Sequence, residues 1–141
     1  MKKRVVLILI ASLIAFAGCA KNNEEKALKN VIIENTDAMN KEDAARYMST
    51  IYNDGTGLYE STDSIIATLF EGYDLDSKVI STEIIEIKDN TALVRATTKT
   101  IKKSGGLFAD NEAVMVHTMY KDNGVWKIQS TRIEDMKYLN Q

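Results

Sequence analysis

Apolar positions in this chain follow two rhythms that change near Gly72. Before it they recur every three or four residues, and after it they fall in runs rich in β-branched residues. The first rhythm belongs to amphipathic helices and the second to strands. Over residues 24–40, Ala27, Leu28, Val31, Ile32, Ala38 and Met39 share one helical face. Asn40 is the expected N-cap of a second helix, with Asp43 at its third position and Ala44, Tyr47, Met48 and Ile51 buried. The turn-rich NDGTG at 53–57 breaks the pattern. STDS at 61–64 is then the expected cap of a third helix, whose inner face is Ile65, Ile66, Leu69, Phe70 and Tyr73.

Four strands are expected after the change of rhythm. They are SKVISTEIIEIK (77–88), TALVRATTKTIKK (91–103), EAVMVHTMYK (112–121) and VWKIQSTRI (125–133). Asp89-Asn90 turns the first pair, Gly105 and Gly106 lie in a loop, and DNG at 122–124 is a hairpin signal. Helices followed by antiparallel strands predict an α+β domain with its helices packed on one face of a curved sheet. No glycine-rich loop follows a strand, so the order of elements excludes dinucleotide and P-loop folds.

The first 20 residues carry a separate pattern. Lys2, Lys3 and Arg4 precede an apolar run at 5–16, interrupted only by Ser12, and small residues Ala17 and Gly18 lead into Cys19. This is the layout of an export signal. A membrane-spanning helix is the second reading, but a span takes about 20 apolar residues, and residues 5–20 supply 16, Ser12 and Gly18 among them. Cys19 is the single cysteine, so an intrachain disulfide and a thiolate metal cluster are both excluded. The stretch resembles the lipobox of bacterial lipoproteins, with Ala17, Gly18 and Cys19 matching and Phe16 standing where leucine is usual. That resemblance implies cleavage before Cys19 and lipid attachment on its sulfur. The expected organisation is a signal peptide at 1–18, a lipidated cysteine and short extended tether at 19–23, and one folded domain at 24–141. The expected location is the extracytoplasmic side of the cell membrane.

Charge narrows the partners. The chain has 18 basic and 20 acidic residues. Without Lys2, Lys3 and Arg4, fifteen basic residues face the same 20 acidic ones, a net charge of about −5. Nucleic-acid binding draws on excess lysine and arginine, so nucleic acid is not an expected partner. The absence of proline removes proline-rich linkers and docking segments.

Three helices followed by four long strands ending in NGVWKIQSTRIED resemble the nuclear transport factor 2-like superfamily. The closest likeness is to small exported lipoproteins of its SnoaL-like, polyketide cyclase-like group in Gram-positive bacteria. NTDAMNKEDAARYMSTI, AVMVHTMYK and the Gly-x-Trp-Lys-Ile hairpin carry the likeness over residues 24–139. It implies a cone, with the sheet wrapped around the helices and a pocket at the wide end. Relatives include a ketosteroid isomerase, cyclases and dehydratases beside members without activity, so the fold alone does not choose a chemistry.

Candidate chemistry is sparse. His117 is the only histidine, hence the only side chain whose ordinary pKa suits acid–base work near neutrality. It shares a strand face with Ala113, Met115 and Met119. Strict alternation along the last strand places Trp126, Ile128, Ser130 and Arg132 together, with Trp126 and Ile128 in the core and Arg132 toward the open end. Tyr47, Tyr52, Tyr59 and Tyr73 lie where they can wall a pocket, and Asp74, Asp76 and Glu83 lie near the start of the sheet. His117, Arg132, Tyr47 and Tyr73 are therefore the candidate ligand contacts. No catalytic set, metal site or cofactor is expected. Arg95, Lys99 and Lys103, with Lys102 beside them, form a basic stripe read as a solvated face that discourages sheet-to-sheet association. The function expected is a membrane-anchored, non-enzymatic binding module for a small ligand or another envelope protein. The alternative is an isomerase or cyclase of the ketosteroid isomerase-like branch. Homodimerisation through the sheet is the remaining partner expectation.

Overall fold

The computed structural model describes residues 6–139, with side chains from Ala20 onward. The cationic residues 2–4 and the side chain of Cys19 lie outside the described residues. Three helices, α1 (Val6–Asn40), α2 (Ala44–Ser49) and α3 (Leu58–Gly72), precede four strands, β1 (Tyr73–Lys88), β2 (Thr91–Gly105), β3 (Asn111–Asp122) and β4 (Val125–Tyr138). The strands form one antiparallel sheet in the order β1-β2-β3-β4. This is the expected α+β arrangement.

Helix α1 starts earlier than its apolar period indicates. Residues 20–23 are helical rather than an extended tether. The run EEKALK that follows is rich in strong helix formers, and no glycine or proline interrupts residues 19–40. Four helical residues advance about 6 Å, less than half the reach of an extended segment. Leu28, Ile32 and Ala38 are buried, and they fix the face of α1 that meets the sheet. Among the described residues, no helix is long and apolar enough to cross a membrane.

Asn40 ends α1 instead of capping α2. Its amide nitrogen donates to the Ser77 carbonyl at 2.7 Å, and its amide oxygen accepts from the Ser77 N–H at 2.7 Å. This pair of bonds ties the helix to β1. Asp43 is the cap of α2, accepting from the Arg46 N–H at 3.0 Å. Helix α3 likewise begins before STDS, because the hydroxyls of Ser61, Thr62 and Ser64 donate to carbonyls four residues earlier. Side chains satisfied in that way sit inside a helix and do not cap one. Ile66 is the buried residue of α3, whereas Ile65 is exposed and Tyr73 opens β1.

The DNG hairpin forms as expected, with Asn123 and Gly124 both at positive φ (48° and 81°), the combination that suits right-handed strand twist. At this end the core closes around Leu28, Met48, Val94, Met119, Trp126 and Ile128. The segment after α2 covers part of the β4 edge: the Ile128 N–H donates to Thr50, and the Tyr52 N–H donates to Ile128, each at 2.8 Å.

Candidate functional site

Strand parity decides what faces the interior. Along β2 the inward positions are Ala92, Val94, Ala96, Thr98 and Thr100, and along β3 they are Ala113, Met115, His117 and Met119. Strand β4 does not keep strict alternation. Its pairing with β3 slips between Thr118 and Met119, which places Gln129 as an extra residue, and again between Val114 and Met115, which does the same to Glu134. Each β-bulge reverses the facing of everything beyond it. The inward residues of β4 are thus Trp126, Ile128, Thr131, Ile133 and Met136.

The first bulge overturns the expected place of Arg132. It pairs across the sheet with Val116, away from the interior, and its guanidinium lies 3.7 Å from Glu134. Arg132 is therefore an outer-face residue and not a pocket contact. Tyr73 also lies outside the interior, with its ring against Phe108 and its hydroxyl 3.5 Å from the Leu107 carbonyl. Of the other tyrosines, Tyr52 stacks on Tyr120 and Tyr59 packs on the core. Glu83 is on the outer face, bonded to Arg95 at 2.7 Å, and Asp76 is exposed. Asp74 is half-buried at the start of β1 and does not line the interior.

The wide end of the cone is hollow. A cavity of about 470 Å³ lies between α1, α2 and the sheet, within the range that holds a small organic ligand. Its walls are mostly aliphatic and methionine side chains, with polar positions at Asn35, Thr36, Tyr47, Thr98, Thr100, Asn111, His117 and Thr131. Among the described residues, no aspartate, glutamate, lysine or arginine lines it. Most of the polar groups are already engaged. The Asn35 amide donates to Thr50 Oγ1 at 2.8 Å, Thr36 donates to the Ile32 carbonyl at 2.9 Å, and Asn111 donates to the Ala109 carbonyl at 3.0 Å. Burial pushes the Tyr47 hydroxyl pKa up, against a hydrogen bond from Asn35 that lowers it.

His117 differs from these. It is 6% exposed, its Nδ1 is 2.8 Å from Thr131 Oγ1, and its Nε2 is buried with no hydrogen-bond partner. Burial alone pushes its pKa down to about 4, so the imidazole is neutral at pH 7. A neutral imidazole bonded to a hydroxyl lacks the carboxylate that would orient it and stabilise its charged form. Among the described residues, no cluster of His, Cys, Asp or Glu could hold a metal ion.

Residues outside the expected set shape the closed end. Glu24 on α1 accepts from the Trp126 indole N–H at 2.6 Å and pairs with Lys121 at 2.6 Å, which lowers its pKa, Lys121 contributing most. Nothing in the local sequence announced this junction, because its partners are about a hundred residues apart. The basic stripe is partly neutralised: Arg95 is held by Glu83 and Glu134 at 2.7 Å each, and Lys102 donates to the Gly106 carbonyl.

Solved structures of the nuclear transport factor 2-like fold share this architecture. A member of that family from Streptomyces avermitilis aligns with a TM-score of 0.70 at 12% identity, covering 86% of this chain and 99% of its own. A ketosteroid isomerase-like protein from Erwinia carotovora atroseptica aligns at 0.62 and 17% identity, covering 81% and 98%. A type 2 hexachlorocyclohexane dehydrochlorinase (LinA) aligns at 0.66 and 12% identity, covering 85% and 91%. At such identities the likeness is one of fold. Among curated proteins none matches the chain. Residues 30–139 match the family described as the C-terminal domain of anti-sigma-I factor RsgI9, and the chain belongs to that family.

Proposed function

We propose that this protein is a binding module, anchored on the extracytoplasmic face of the cell membrane through lipid on Cys19, that holds a small ligand in its cavity without transforming it. The observation that carries the reading is the cavity's composition: about 470 Å³ of mostly apolar space with no ionised side chain among the described residues of its walls. An isomerase or cyclase needs a base matched to the working pH. Of the two titratable groups on the described wall, Tyr47 is held protonated by burial, and His117 is neutral with a hydroxyl partner in place of a carboxylate. Binding without turnover also agrees with a family described as the C-terminal domain of an anti-sigma-I factor. The anchor rests on the leader, with its cationic start, its apolar run and the Ala17-Gly18-Cys19 sequence.

Native mass spectrometry of the full-length protein released from membranes tests both halves. The expected result is a diacylglyceryl mass on Cys19, absent in Cys19→Ser, together with a co-purifying small molecule. That molecule is lost when Ala113→Phe fills the cavity. An empty cavity in both proteins overturns the binding reading, and so does steady turnover of any molecule found there. A membrane fraction unchanged by Cys19→Ser overturns the anchor.

A further inference from the structure

We infer that the cavity selects an uncharged, largely apolar molecule carrying a hydroxyl group, and that Nε2 of His117 is the atom that receives this hydroxyl. The inference rests on the cavity being a binding site, as proposed above, and adds the ligand's chemical class and the residue that sets it.

Two independent observations converge. The first is the wall, where no described residue brings an ionised group to pair with a charged ligand. An ion entering such a site would shed its hydration without compensation. The second is the unmet valence of the imidazole. His117 lines the cavity, is buried, and has Nδ1 satisfied by Thr131 at 2.8 Å while Nε2 has no partner. A buried polar atom without a partner is costly, and a ligand that supplies the partner recovers that cost.

The chemistry of the pair favours a hydroxyl over other polar groups. Thr131 can donate to Nδ1 or accept from it, so Nε2 carries a proton in one arrangement and a lone pair in the other. A carbonyl serves only the first and an ammonium only the second. A hydroxyl serves both. The neighbours do not compete for it. Across the register His117 faces Val94 on β2 and Thr131 on β4, and its face of β3 continues as Met115 and Met119.

The sole histidine makes the test direct, because its imidazole nitrogens give the only signals of their kind. The full-length chain in lipid nanodiscs, with empty nanodiscs correcting for partition, is titrated with naphthalene, 1-naphthol and 1-naphthoate. Nitrogen-15 resonances of His117 report occupancy and hydrogen bonding. The expected order is 1-naphthol over naphthalene by about tenfold, with 1-naphthoate weakest and the Nε2 resonance shifted by 1-naphthol alone. In His117→Phe, naphthalene still binds and the preference for 1-naphthol disappears. Equal affinity for naphthalene and 1-naphthol in the unaltered protein overturns the inference while leaving the cavity a binding site, and needs no variant to fold. Tightest binding of 1-naphthoate overturns the uncharged class. Failure of all three to bind overturns the binding reading and this inference with it.

Discussion

Between Ala92 and Ala96, β2 turns small and β-branched side chains onto Leu28, Met119 and Trp126, and the space closes. From Thr98 onward the same strand turns threonines onto a cavity of about 470 Å³. One end of the cone is a solid and the other is a container, built from the same four strands and the same long helix. The difference lies in side-chain volume and polarity. At the closed end Trp126 fills the taper and anchors its one polar atom on Glu24. At the open end the inward positions include Thr98, Thr100, Asn111, His117 and Thr131, which are smaller or polar. The lesson is that stability and binding are assigned to separate lengths of the same strands.

Truncation should expose the contrast most strongly. Leu28→Ala, at a fully buried position, is expected to cost about 4 kcal/mol, while Met136→Ala on the cavity wall should cost less than about 1 kcal/mol. Urea denaturation midpoints measure both, and similar losses at the two sites would erase the distinction. Acid comes next. The folded-state pKa of His117 lies below its unfolded value near 6.5, so the unfolded chain takes up this proton first as pH falls. Its contribution is complete above pH 6.5 and is lost between about 6.5 and 4, amounting to about 3 kcal/mol. His117→Phe should flatten that part of the stability-versus-pH curve and leave the carboxylate-driven part below it unchanged.

A smaller effect is expected where α1 meets the closed end. Glu24→Gln removes the charge that faces Lys121 and weakens the bond to Trp126, a loss of about 1 kcal/mol after allowance for partial exposure. The Tm should fall, and the cavity's ligand affinity should stay unchanged. The smallest effect belongs to the outer face. Arg95→Gln breaks two exposed ion pairs and should leave the Tm unmoved at high salt, because solvent and salt already screen them.

Much of the fold was legible because it is written in local periodicity. The two rhythms gave three helices and four strands in order, and Asn123-Gly124 marked its hairpin unaided. The boundaries were harder. Asn40 and the Ser61–Ser64 hydroxyls have cap chemistry, but they spend it on Ser77 and on the preceding turn, choices made by tertiary contact and helix geometry. In the site, Tyr47 and His117 lie on the cavity wall, while Tyr73 and Arg132 do not. Tyr73 was misread because helical spacing continued past the true end of α3. Arg132 was misread because a bulge leaves no mark on alternation. The hollow was expected only through the family resemblance and not from any residue pattern, since empty space is the sum of what distant strands fail to fill.

The extra residue at Gln129 decides which side chains the cavity sees. If β4 paired straight through Gln129 with no bulge there, the register beyond it would slip by one residue, turning Thr131 and Ile133 outward and bringing Arg132 in. A neutral container would become one with a fixed positive charge, without a single substitution. The class of molecule held is therefore set by the register of one strand pair as much as by residue identity, and the closed end, which lies before the bulge, would carry the fold through such a slip.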